Sequence, residues 1–91
     1  MPIAGFPTST PRQIIASANV APRACSIAGI FCSSSTSGTV TIYDDPATGT
    51  TTKIVDTFTV AAGTWYPLPF SVSNGVNLVI GGTASVTIGL V

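Results

Sequence analysis

Few residues in this 91-residue chain could do chemistry. Three aspartates (Asp44, Asp45 and Asp56), two cysteines, one lysine and two arginines are present, and there is no histidine and no glutamate. Nucleophilic catalysis needs a base beside a serine, threonine or cysteine. With Lys53 as the sole lysine, the abundant hydroxyls read as strand propensity and solvation. Adjacent carboxylates can in principle share acid and base work, but Asp44 and Asp45 diverge in direction and sit directly ahead of Pro46. They are expected to cap turn amides. A weak calcium site with backbone carbonyls would need a ligand spacing that the chain does not carry. Gly81-Gly82-Thr83 is not a phosphate loop, because neither a helix nor a lysine follows it. The expectation is therefore a protein that is not an enzyme and that holds no metal and no cofactor.

Cys25 and Cys32 lie in ACSIAGIFC. On one extended strand their Cα atoms would be about 23 Å apart, beyond the reach of a disulfide. A hairpin at Ala28-Gly29 would bring them together, although neither residue is a strong hairpin signal. Two cysteines without a histidine leave a zinc site short of ligands. Two small buried apolar side chains are the expected role.

The densest aromatic stretch is TWYPLPF, with Trp65, Tyr66, Leu68 and Phe70. Aromatic faces can stack on sugar rings, yet a domain this small needs its large rings for its core or for a subunit interface. Core or interface is the expectation.

Charged residues make up 7% of the chain, against about 25% in an ordinary soluble protein. The mass scales to a folded surface on the order of 5,000 Å², or about 800 Å² per charged side chain, roughly one partner's share of a standard interface. A free monomer with no net charge is poorly defended against association, so much of the surface is expected to be covered by neighbours. Arg12, Arg23 and Lys53 are scattered singly, so no basic stripe offers itself to nucleic acid. Apolar runs are interrupted by Thr, Gly, Ser or Asn well short of the roughly 20 residues a spanning helix needs. The N-terminus has no basic segment followed by an apolar one, so synthesis in the cytoplasm is expected.

Residues 1–11 read as an arm, because Pro2, Pro7 and Pro11 fix φ and remove amide donors. Eleven extended residues reach roughly 34 Å. Ile3 and Phe6 have no local periodic partner and are expected to anchor on a neighbouring subunit, the alternative being a frayed terminus. Residues 12–91 form a single domain with a strand pattern throughout. Strands are expected over Gln13–Ala18, Ala24–Cys32, Thr39–Asp44 and Lys53–Val60, with SANVAP and the Ser-rich run after Cys32 as connections. Asp56 falls on the apolar face of its strand, which calls for a bulge near it or an edge position. Pro67 and Pro69 exclude a fully paired central strand. Asn74-Gly75 signals a hairpin and Gly81-Gly82 a further turn. About seven short strands result, an all-β antiparallel β-sandwich or jelly-roll-like barrel with an extended N-terminal arm.

The run from Gly38 to Leu90 resembles small β-sandwich virion proteins of tailed bacteriophages. The similarity is carried by GTVTIYD (Gly38 to Asp44), Lys53-Ile54 after a Gly/Thr turn, AAGT (Ala61 to Thr64) and NGVNLVIGGTASVTI (Asn74 to Ile88). It implies a capsid cement or decoration subunit at the capsid surface of the virion, stabilising capsomer junctions. Its partners would be the major capsid protein and further copies of itself, plausibly as a trimer, with neither nucleic acid nor membrane. Pro2, Ile3, Phe6, Pro7, Arg12, Trp65 and Tyr66 are the candidate interface residues. The rival reading is a binding module associated with a tail or head fibre, touching host glycans through Trp65 and Tyr66.

Overall fold

The computed structural model describes residues 10–91. It contains six strands: β1 (Thr10–Ile14), β2 (Ala18–Ala21), β3 (Cys25–Asp44), β4 (Lys53–Thr59), β5 (Thr64–Val72) and β6 (Val76–Leu90). No helix occurs among the described residues. The strands form one antiparallel sheet, which is not closed, with β6 beside β3 at its centre. Thr10 and Pro11, expected in the arm, belong to β1 and pair with Leu90 and Gly89.

Two long strands organise everything else. β3 runs 20 residues and β6 runs 15, and they pair from Ile27↔Leu90 to Asp44↔Val76. Each half of this ladder has its own flanks. Around the first half of β3, β5 lies on one side, and β1 pairs with the last part of β6. Around the second half, β4 lies beside β3, and β2 pairs with the start of β6. Local sequence supports this, since Val, Ile and Thr alternate along both strands and suit a pleated, half-buried surface.

β3 is folded back on itself. Nineteen steps of extended chain would span about 63 Å, yet the longest dimension of the molecule is 37 Å. Cys25 at one end of β3 pairs with Val72, while the Asp44 carboxylate at the other end accepts the amides of Ser73 and Asn74 at 3.2 and 2.9 Å. The two ends therefore meet at consecutive residues of the chain. The sheet is thereby bent into two arms, which bury one continuous cluster that includes Ile27, Ile30, Val86 and Ile88 from the first and Val40, Ile42, Val76 and Leu78 from the second.

The bend lies where the sequence suggests two separate loops. The Ser-rich run and Gly81-Gly82 are strand, not turn, and they pair with each other: Ser34↔Ser85, Ser35↔Ala84, Thr36↔Thr83 and Thr39↔Gly81. The register shifts between Thr36 and Thr39, where Ser37 has φ 55° and Gly82 has φ 67°. Extra residues in a strand bend it and increase its twist. SANVAP also differs from expectation, because Ala18–Ala21 is β2. Asn74-Gly75 does not make a hairpin: β5 pairs with β3, whereas β6 starts in the other arm, so this segment crosses between arms. Gly75 is needed because a Cβ there would stand 2.5 Å from the Ala21 carbonyl oxygen and 2.6 Å from that of Asp45.

Other expectations are met. β4 is an edge strand with a register shift between Val40↔Phe58 and Ile42↔Val55, which places the bulge at Asp56–Thr57. Asp56 is thereby turned outward, 87% exposed, and pairs with Lys53 at 3.2 Å. β5, with its two prolines, is bonded on one side only, to β3. Cys25 and Cys32 are free thiols on a continuous β3, so Ala28-Gly29 forms no hairpin.

Candidate functional site

No cavity is present among the described residues, and no three of their His, Cys, Asp or Glu side chains cluster as metal ligands would. What the residues could do must be sought on the surface, beginning with the charged groups. Most are engaged within the chain. Asp44 accepts the amides of Ser73, Asn74 and Gly75, the last at 3.3 Å. These bonds, that of Asn74 foremost, hold its carboxyl below the usual carboxylate range against a smaller opposing effect of desolvation. Asp45 accepts the amides of Ala47 and Gly49 at 2.8 and 3.1 Å. Both aspartates thus cap turn amides, as their position before Pro46 suggests. Asp56 accepts the amide of Thr57, and this bond with Lys53 beside it holds its carboxyl low. Arg12 extends Nη1 to the Val20 carbonyl at 3.4 Å.

Two asparagines secure the loop between β3 and β4. Asn19 Nδ2 donates to the carbonyls of Asp45 and Ala47 at 3.0 and 2.5 Å, and the buried Asn77 Nδ2 donates to that of Gly49 at 3.0 Å. This loop is consequently tied to β2 and β6. Its chemistry is structural.

Trp65 and Tyr66 part company. Successive strand residues point to opposite faces, and β5 keeps that rule here. Tyr66 turns inward and meets Phe58 of β4 edge to face, with ring centroids 5.3 Å apart and an interplanar angle of 61°. Its hydroxyl accepts the amide of Ala61 at 2.8 Å. Trp65 turns outward and remains 50% exposed. Opposite it on β3 is Phe31, 41% exposed, whereas its neighbours Ile30 and Cys32 are fully buried. Phe31 is not among the expected interface residues. Only the alternation around a bulge, seen in the shift between Ile27 and Gly29, puts it outside.

Glycine holds the indole in place. A Cβ at Gly29 would stand 2.6 and 2.7 Å from Trp65 Cζ2 and Cη2, so the ring lies against the bare backbone of β3. The row through these aromatics reads Gln13, Thr87, Phe31, Trp65 across β1, β6, β3 and β5, and the next but one reads Pro11, Gly89, Gly29, Pro67. Neither row contains a charged residue. Gln13 Nε2 donates to Ser85 Oγ at 2.9 Å, which adds a polar margin.

Cys25 is half-buried and Cys32 buried. Burial pushes the Cys25 thiol up, the nearby Arg23 opposing it and Asp44 adding to it. A raised thiol is a poor nucleophile at neutral pH. Of the remaining candidate residues, Arg12 is exposed on β1, and Pro2, Ile3, Phe6 and Pro7 lie outside the described residues.

No family model matches this chain, and neither a curated protein nor a solved structure matches it.

Proposed function

We propose that this protein is a non-catalytic structural subunit that works inside an assembly, as a decoration or cement protein on the capsid surface of a tailed-phage head. The observation that carries the reading is the state of its charges. Charged residues are 7% of the chain, and Asp44, Asp45, Asp56, Lys53 and Arg12 each hydrogen-bond within it, so little free ionic surface stands to keep copies apart. A surface of this kind loses little in desolvation when neighbours cover it. The resemblance of the Gly38–Leu90 run supplies the setting.

Contact through faces or arms fits better than extension of the sheet. Pro67 and Pro69 on β5, Pro11 on β1 and the Lys53–Asp56 pair on β4 stand on outer strands, where prolines and charges discourage edge-to-edge pairing. Attachment is assigned to Pro2, Ile3, Phe6 and Pro7 of the N-terminal segment and to Arg12 on β1. Partners are the major capsid protein and further copies of this chain, as a trimer. Covering about 800 Å² of mostly apolar surface contributes roughly 20 kcal/mol before association costs, and many copies multiply that effect on a shell. The bent sheet is read as a sandwich of two layers, for which the 17 Å shortest dimension has room at about 10 Å between layers.

Sedimentation of the purified chain from micromolar to millimolar concentration, with and without phage heads stripped of their decoration, tests the reading. Self-association or stoichiometric binding to the heads supports it. A monodisperse monomer at millimolar concentration, indifferent to every shell offered, ends it.

A further inference from the structure

Trp65 and Phe31 stand directly opposite each other on β5 and β3, half exposed, on a stretch of sheet with no charged residue in its two rows. The Cζ2 and Cη2 atoms of the Trp65 ring lie close over Gly29, so part of the indole rests on backbone while half of the residue stays open to solvent.

Size decides what could occupy it. A whole aromatic side chain offers about 150–250 Å², so the exposed parts of these two rings together offer about 200 Å². That is roughly a quarter of what one partner contributes to a stable protein interface. It suits a small ring-shaped ligand far better than a second copy. Charge decides further. An anionic or cationic ligand would find no counter-charge in Gln13, Thr87, Phe31, Trp65 or in Pro11, Gly89, Gly29 and Pro67 two residues along each strand; Arg12, in the row between, alternates to the other face and extends to the Val20 carbonyl at 3.4 Å. A neutral ligand with an apolar ring face and hydroxyl edges meets both requirements, the ring face on the aromatics and the hydroxyls on the amide of Gln13 and the hydroxyl of Thr87. The row spans three strand spacings, about 14 Å, enough for a short run of sugar units. The absence of a cavity among the described residues fits a polymer laid along an open surface.

We propose that Trp65 and Phe31 form a stacking platform for a neutral saccharide chain, with Gln13 and Thr87 as its polar margin. The platform shares β1 with the attachment residue Arg12 but uses its neighbour Gln13, and Tyr66 takes no part in it. Its occupant is bound weakly and exchanges quickly on one subunit, and gains strength from the many copies of an assembly.

Trp65 is the only tryptophan, so its emission reports directly on the platform. The full chain would be titrated with three neutral hexasaccharides, of β-linked glucose, β-linked N-acetylglucosamine and α-linked glucose, and with one sulfated polysaccharide. A saturable change in emission with at least one neutral sugar is expected. Phe31→Ser should weaken it by about tenfold or more while far-UV dichroism stays unchanged, and Ile15→Ser, which alters an exposed apolar residue outside both rows, should leave it intact. Trp65→Ala, followed by NMR shifts of the Thr87 and Gly29 amides, should abolish it. The proposal is overturned if no neutral sugar alters the emission at millimolar concentration, if only the sulfated polymer binds, if Phe31→Ser binds as well as the parent, or if the emission depends on protein concentration alone, which would make a second copy the occupant.

Discussion

The Asp44 carboxylate accepts the Asn74 amide at 2.9 Å, and this one contact joins the end of β3 to the segment that carries the chain from one arm of the sheet to the other. It pins the crossing at the point where β6 must start beside β3. An interaction placed there acts on the bend of the sheet as well as on a turn.

Acid should loosen this junction. The folded Asp44 titrates below its ordinary value of 3.8 because its charged form accepts amides, and Asp56 is lowered in the same direction. A carboxyl with a depressed folded pKa contributes stability that is present above the unfolded pKa and is lost as pH falls through the folded one. The thermal midpoint should therefore be flat through neutral pH and fall on acidification below about pH 4. In Asp44→Asn the midpoint should be lower at neutral pH and its acid decline shallower. An unchanged acid decline in that variant would remove the role given to Asp44.

Gly29 should resist substitution. In Gly29→Ala the new methyl would meet the Tyr66 carbonyl oxygen at 2.5 Å as well as the Trp65 ring, so β5 must shift or the indole must swing out. Urea unfolding should show a loss of about 1–3 kcal/mol, and tryptophan emission should move to the red. Full stability with unaltered emission would mean that the indole does not rest on that glycine.

The two arms should unfold as one. Ile30 and Ile42 are both fully buried, one on each half of β3, and belong to the same cluster. Ile30→Ala and Ile42→Ala should each cost about 2–5 kcal/mol within a single transition seen alike by fluorescence and circular dichroism. Two separate transitions would show that the arms fold independently.

At the bend, Ser37 and Gly82 both have positive φ, but they differ in tolerance. A side chain at Gly82 would press on the Ser37 carbonyl oxygen, so Gly82→Ala should destabilise the protein by about 1–3 kcal/mol. Ser37→Gly relieves a left-handed serine while adding freedom to the unfolded chain, and should stay within about 1 kcal/mol of the parent. Denaturant midpoints with unchanged slopes would measure both effects.

Tyr66→Phe should cost about 0.5–1.5 kcal/mol through loss of the Ala61 hydrogen bond, without affecting sugar-dependent emission. A loss of sugar response in this variant would return Tyr66 to the platform.

Much of the architecture was legible in the residues. Alternation of Val and Ile with Thr announced strands, the two prolines announced the edge position of β5, and Asp56 on an apolar face announced a bulge at an edge, because each is a local effect of one side chain on its own backbone. The aspartates before Pro46 capped amides for the same reason. The candidate site was legible only in part. Trp65 stood out by type, but Phe31 was concealed, since its outward direction depends on a bulge between Ile27 and Gly29 that leaves no mark in composition. Serines 33–35 with Ser37, and Gly81 with Gly82, looked like loops because each segment taken alone prefers a turn. Across from each other in a ladder, they become the pliable section of two paired strands.

By itself, then, the sequence determined an all-strand chain poor in charge, with no histidine and a single lysine, since those properties follow from residue type and spacing. Only the tertiary structure decided that two apparent loops are one bend, that Asn74-Gly75 is a crossing between arms, and that Trp65 has Phe31 and not Tyr66 for its partner. The physical reason is that strand pairing is non-local. Which face a residue takes depends on the register and bulges of a neighbouring strand distant along the chain, and no window of sequence contains both.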